Sequence, residues 1–260
     1  IHWKMVFVFI RGNPQFKGFY LPKLIKNDIM EPNLHNQILK VIKEKSSVKQ
    51  DIFHETLAAF KMLKEIAKTE AEVLKKEVAD IDKRVTIEFK DRSEFMFEIK
   101  VAGDLLVFQM HTNIFEFDNS HFIKKSPYVA KNEMLSFCGL ISVYNFLADS
   151  FKYHRINDVG YLMARLFVNK ESQYFVEGKN RKITIGHNNF GNEQFNNERA
   201  LNLLETIILA SLDFDLFTPP YETQKEISVS EINESNNNIS IQTGKRLGFK
   251  FQFEDEKGIK

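Results

Sequence analysis

Residues 85–110 read VTIEFKDRSEFMFEIKVAGDLLVFQM, and the fold turns on how they alternate. Val85, Ile87 and Phe89 recur at every second position, and so do Phe95, Phe97, Ile99 and Val101. Leu106, Phe108, Met110, Thr112 and Ile114 continue the beat. A period of two is that of a strand with one face buried. Asp91-Arg92-Ser93 and Ala102-Gly103-Asp104 interrupt it with residues that suit turns. The segment therefore predicts a three-stranded antiparallel meander.

Upstream the rhythm is different. From about Lys49 to Lys83, Phe53, Leu57, Phe60, Lys64, Ala67, Ala71, Leu74, Val78 and Ile81 follow a 4-3-4-3 spacing. That is a heptad seam on one long helix. It contains a lysine and two alanines, so it is a weak seam. It can lie across the chain's own sheet or pair with a second copy. On the second reading Phe53, Leu57, Phe60, Leu74 and Val78 form a homodimer interface. Before it, Leu34, Ile38, Val41 and Ile42 mark a shorter helix. Residues 1–29 show no period, so they are expected to be a poorly packed extension, with Met30 as a natural start or the edge of the main fold.

Downstream, Leu140, Val143, Tyr144, Leu147, Ala148 and Phe151 recur at helical spacing and predict a buried helix. A second meander is expected from 162–168, 174–176 and 183–185. The loop Gly186–Gly191 then leads into a helix over about 195–212, with Leu201, Leu204, Ile208 and Leu212 on its face. Ile227 with Val229, Ile239 with Ile241, and Leu247 to Phe253 suggest a small C-terminal β extension. The fold class is thus α+β: two three-stranded antiparallel meanders framed by long helices. The expected divisions are 1–29, a helical segment 30–83, a core domain 84–217 and an extension 218–260.

Composition narrows the class further. The 260 residues are 43% apolar and 27% charged, as in ordinary globular proteins. The 25 phenylalanines against one tryptophan point to a low-GC genome as much as to function. One cysteine, Cys138, excludes an intramolecular disulfide and any zinc site built of several cysteines. No apolar run nears the ~20 residues that a membrane helix needs. Together these features predict a soluble, cytoplasmic protein. The net charge of +1 gives no global case for nucleic acid. Residues 1–50, however, hold nine Lys/Arg against three Asp/Glu, a local +6.

The order of long helix, three strands, helix, three strands and long helix resembles that of PAS- and GAF-type sensory domains. The stretch from Ser126 to Gly178 is similar to uncharacterised conserved proteins of Bacteroidota. These resemblances imply a bacterial sensory or interaction module and no particular activity.

Candidate chemistry is sparse. Cys138 could act as a nucleophile with His111 or His154 and Asp149, a set that hydrolases use. Its flanking Phe137 and Leu140 fit an inert buried thiol better. The seven histidines form neither HxH nor HExxH, so no metal site is predicted. The Gly- and Asn-rich loop Gly186–Gly191 could offer free N–H groups to a phosphate at a helix start, helped by Arg181 and Lys182. Arg181, His187, Asn188 and Asn189 are the ligand-binding candidates, although tight turns need the same residues. Phe16, Lys17, Phe19, Tyr20 and Lys23 mix base-stacking and phosphate-pairing side chains. The preferred expectation is a non-catalytic sensory or protein-interaction module with an unknown small ligand or protein partner and no cofactor. The alternatives are a hydrolase at Cys138, a phosphate-binding enzyme at Gly186–Gly191, and a nucleic-acid-associated protein using its first 50 residues.

Overall fold

The computed structural model describes residues 32–153, 155–214, 218, 220–223, 225–230 and 232–233, with side chains from 34 onward. The chain divides into two compact units after Val41. In the first unit, helix α1 spans Pro32–Val41, and its Leu34, Ile38, Leu39 and Val41 are more than half exposed.

The second unit begins with a π-helical turn, Ile42–Ser46, that runs into the 35-residue helix α2, Ser47–Ile81. Six strands follow: β1 Ile87–Ser93, β2 Met96–Val101, β3 Asp104–Met110, β4 Gly139–Leu147, β5 Tyr161–Val168 and β6 Tyr174–Glu177. They form one antiparallel sheet in chain order, a single six-stranded meander. The unit also holds α3 Pro127–Ala130, α4 Ala148–Lys152, α5 Arg181–Thr184 and the longer α6 Asn197–Leu212, with 3-10 turns at Phe122–Lys125, Glu133–Ser136 and Tyr221–Thr223. No described helix is long and apolar enough to cross a membrane.

The protein is α+β with an antiparallel sheet, as the change of period near Arg84 predicts. The long seam is spent on the chain's own sheet. Phe60, Leu63 and Ala67 are buried on α2 and meet Phe97, Ile99, Leu106 and Phe108, joined by Leu203, Leu204 and Ile207 of α6. Phe97 stacks on Phe108 with centroids 4.5 Å apart and touches Phe60 at 5.3 Å. The division expected at 83/84 therefore falls inside one core. The odd lysine of the seam has a reason too. Lys64 Nζ donates to Asp91 Oδ1 (2.9 Å) and Ser93 O (2.7 Å), pinning the β1–β2 hairpin to α2.

Three expected elements differ. The stretch read as a buried helix is β4, whose burial alternates strictly from Gly139 to Leu147. Both of its faces carry apolar or aromatic residues, so the spacing of the largest ones fits either period. Only Ala148–Lys152 coils, as α4. The third strand of the second meander is instead the turn α5, where Asn180 Oδ1 accepts from Lys182 N and starts a helical geometry. The proposed strand at Ile227 and Val229 is irregular chain leading into a helical turn at 229–230. The remaining C-terminal strands, and residues 1–29, lie outside the described residues.

The two faces of the sheet are covered differently. α2 and α6 cover one face. On the other, the segment between β3 and β4 folds back over β5 and β6. Ile123, Val129, Leu135, Cys138 and Phe190 close on Phe167 and Phe175 there and make a second, smaller core. That covering stops short of β1 and β2.

Candidate functional site

Strand alternation places Ile87, Phe89, Phe97 and Ile99 toward the helices, so Glu88, Lys90, Glu98 and Lys100 stand on the opposite face. Register sets Glu88 across from Lys100 and Lys90 across from Glu98. A bulge at Asp91–Ser93 swings the end of β1, and Arg92 Nη2 lies 2.7 Å from Glu98 Oε2. Glu98 is buried, and its partnership with Arg92 holds the guanidinium pKa above its usual value. Glu88 lies between two ammonium groups, with Lys90 Nζ at 3.5 Å and Lys100 Nζ at 3.8 Å.

The other wall is α4. Its first amide, Ala148 N, donates to Gly103 O at 2.9 Å and ties the helix to the β2–β3 turn. Phe151 packs edge-on against Phe146, with centroids 5.2 Å apart, and remains 43% exposed. Asp149, Phe151 and Lys152 thus face the charged ladder across Leu105. The result is a groove of about 660 Å³. That is within the ~300–1,000 Å³ of small-molecule sites. Its described lining contains no histidine and no cysteine. It offers ion pairing at one end and apolar contact at the other.

The residues singled out in the sequence lie elsewhere. His187 is almost wholly buried. Its Nδ1 lies 3.0 Å from Tyr174 Oη and its Nε2 3.2 Å from Asn202 Oδ1. Burial lowers its pKa and raises that of Tyr174 to about 12. Asn188, with its amide nitrogen turned to donate, reaches Val176 O at 2.9 Å and His187 O at 3.2 Å. Asn189 donates to Glu193 Oε1 (3.2 Å) and accepts from Asn192 Nδ2 (2.9 Å). Arg181 is exposed in the first turn of α5. The side chains of His187, Asn188 and Asn189 are thus engaged within the loop and with its neighbours. The helix it was expected to open starts later, at Asn197, where Asn196 Oδ1 already accepts from Arg199 N. The side chains that Gly186–Gly191 was expected to offer a ligand are thus spent on the fold. At Gly191, φ is +94° and an added Cβ would lie 2.6 Å from Tyr128.

Cys138 is fully buried beside β4, and burial pushes its thiol pKa up, away from the thiolate a nucleophile needs. His111 is exposed and accepts from Asn113 N at 3.0 Å; His154 lies outside the described residues. The basic-aromatic segment from Phe16 to Lys23 also lies outside them. Of the interface candidates, Phe60 is fully buried, and Phe53, Leu57, Leu74 and Val78 pack against the same core. The buried part of the seam, from Phe60 to Ala71, faces the sheet's apolar side. His121, not singled out before, stacks on Phe117 (4.5 Å). Its Nε2 lies 3.2 Å from Glu177 Oε1, and Arg165 engages the other oxygen of that carboxylate, Oε2. This locks the second core at its margin. Among the described residues, no cluster of His, Cys, Asp or Glu is arranged to hold a metal ion.

Sequence reasoning passed over the groove, although half of its signal was visible. The polar half of the alternation in 86–100 spells out Glu88, Lys90, Glu98 and Lys100. Its second wall was hidden by reading β4 and α4 as one helix. No family model, no curated protein and no solved structure matches this chain.

Proposed function

We propose that this chain is a non-catalytic, cytoplasmic ligand-recognition module that takes a small molecule in the groove between the β1–β3 face and α4. The observation that carries this reading is the groove itself. It is a concavity of about 660 Å³ over the part of the sheet that α2, α6 and the described β3–β4 segment leave open. It joins ion-paired side chains to an apolar floor, the usual make-up of a recognition pocket. The burial of Cys138 and the internal bonding of Gly186–Gly191 weigh against the two enzyme readings. The face opposite the groove carries α2, so a ligand that shifts β1 or β2 acts on a helix of 35 residues. This gives occupancy a route to a packing change.

The neutral fluorophore N-phenyl-1-naphthylamine tests the reading without assuming the natural ligand. Wild-type protein should enhance its fluorescence with a saturable one-to-one isotherm. Thr86 is exposed on the groove rim, so Thr86→Trp fills the space without touching the core. This variant should bind about tenfold more weakly with an unchanged unfolding midpoint. Equal binding by the two proteins would refute the groove as the site.

A further inference from the structure

We infer that the groove selects an organic anion with an apolar body: one carboxylate or sulfonate carried on a chain or ring about 10 Å long. The inference rests on the reading above and adds the chemistry of the ligand. It follows from how charge and apolar surface are ordered across the sheet. Glu88 pairs with Lys100, Lys100 with Leu105, and Leu105 with Phe146, so one row crosses four strands. Neighbouring strands lie about 4.8 Å apart. The row therefore passes from charge to apolar surface within about 10 Å.

The charged end has a local surplus of positive charge. Lys90 and Lys100 share the single carboxylate of Glu88, at distances of 3.5 and 3.8 Å. Glu98 does not relieve them, because Arg92 holds it at 2.7 Å. Across the groove, exposed Lys152 adds a cation, with Asp149 one turn before it on the same helix. Two ammonium groups around one carboxylate leave room for a second anion and none for a cation. At the other end Leu105 is the floor, and Phe151, 43% exposed beyond its contact with Phe146, is an apolar wall. A small inorganic anion would leave that end empty. A neutral hydrocarbon would leave the lysine surplus unanswered.

Isothermal titration of the full chain with octanoate, 1-octanol, octylammonium and acetate tests this, all below micellar concentration. Octanoate should bind about tenfold tighter than octanol and tighter still than octylammonium and acetate. Its affinity should fall as salt shortens the screening length from about 10 Å at 0.1 M, while that of octanol should not. Lys90→Gln combined with Lys100→Gln leaves Glu88 uncompensated and should invert the order, so that octylammonium binds better than octanoate. Lys152→Glu, at an exposed position, should weaken octanoate with folding intact. Phe151→Ser should weaken octanoate and octanol alike. If octanoate, octanol and octylammonium bind equally, or if none binds while the naphthylamine does, the anion inference fails and the groove stands. If neither the naphthylamine nor any of these binds, the groove reading fails with it.

Discussion

His187 is where one side chain couples folding to pH. Its ring is buried between Tyr174 of β6 and Asn202 of α6. Burial is the largest influence and lowers its pKa; the Asn202 bond raises it, Arg199 lowers it and Glu193 raises it. With the folded pKa below the ordinary 6.5, the unfolded chain takes up a proton that the folded chain refuses. Stability is then complete above about pH 6.5 and declines as pH falls below it, until the folded pKa is passed. Urea midpoints at about pH 7.5 and 5.5 should show this loss in wild type and a smaller one in His187→Gln. Equal losses would mean that His187 is not the group responsible. The importance of this residue was legible only as a histidine in a Gly/Asn-rich loop. That its partners come from β6 and α6 depends on contacts across 13 and 15 residues of sequence.

Among the elements, α2 crosses β4 at close range. A Cβ placed on Gly139 would lie 2.1 Å from Thr56 Oγ1, and Thr56 is itself wholly buried. Gly139→Ala should therefore cost about 1–3 kcal/mol, the usual range for overpacking, read as a drop in the denaturation midpoint. A neutral effect would show that α2 can lift off the sheet without loss. The same junction explains the misread element. In 139–147 apolar residues face both cores, so neither a period of two nor one of 3.6 stands out. β1 and β2 have one polar face and announced themselves. The two helices with one apolar stripe, α2 and α6, were legible for the same reason.

At the scale of the second unit, α2, the sheet and α6 share one core, so they should unfold together. Phe60 sits at the centre of that core with no exposed surface. Phe60→Ala should cost about 3–5 kcal/mol, with helical and aromatic signals falling in one transition. Loss of the helical signal ahead of the aromatic one would separate α2 from the sheet. The amino-acid order alone determined the class: the switch from a repeat of seven to a repeat of two near Arg84, with turn residues spaced between strands, requires a long helix followed by an antiparallel meander. Those are local properties, written in the neighbours of each residue. Only the tertiary structure decided that one sheet has six strands, that the heptad seam packs on it, and that the described loops stop short of β1 and β2. Which surface is buried depends on which distant segment arrives to cover it. The groove is what remains where none of the described segments does.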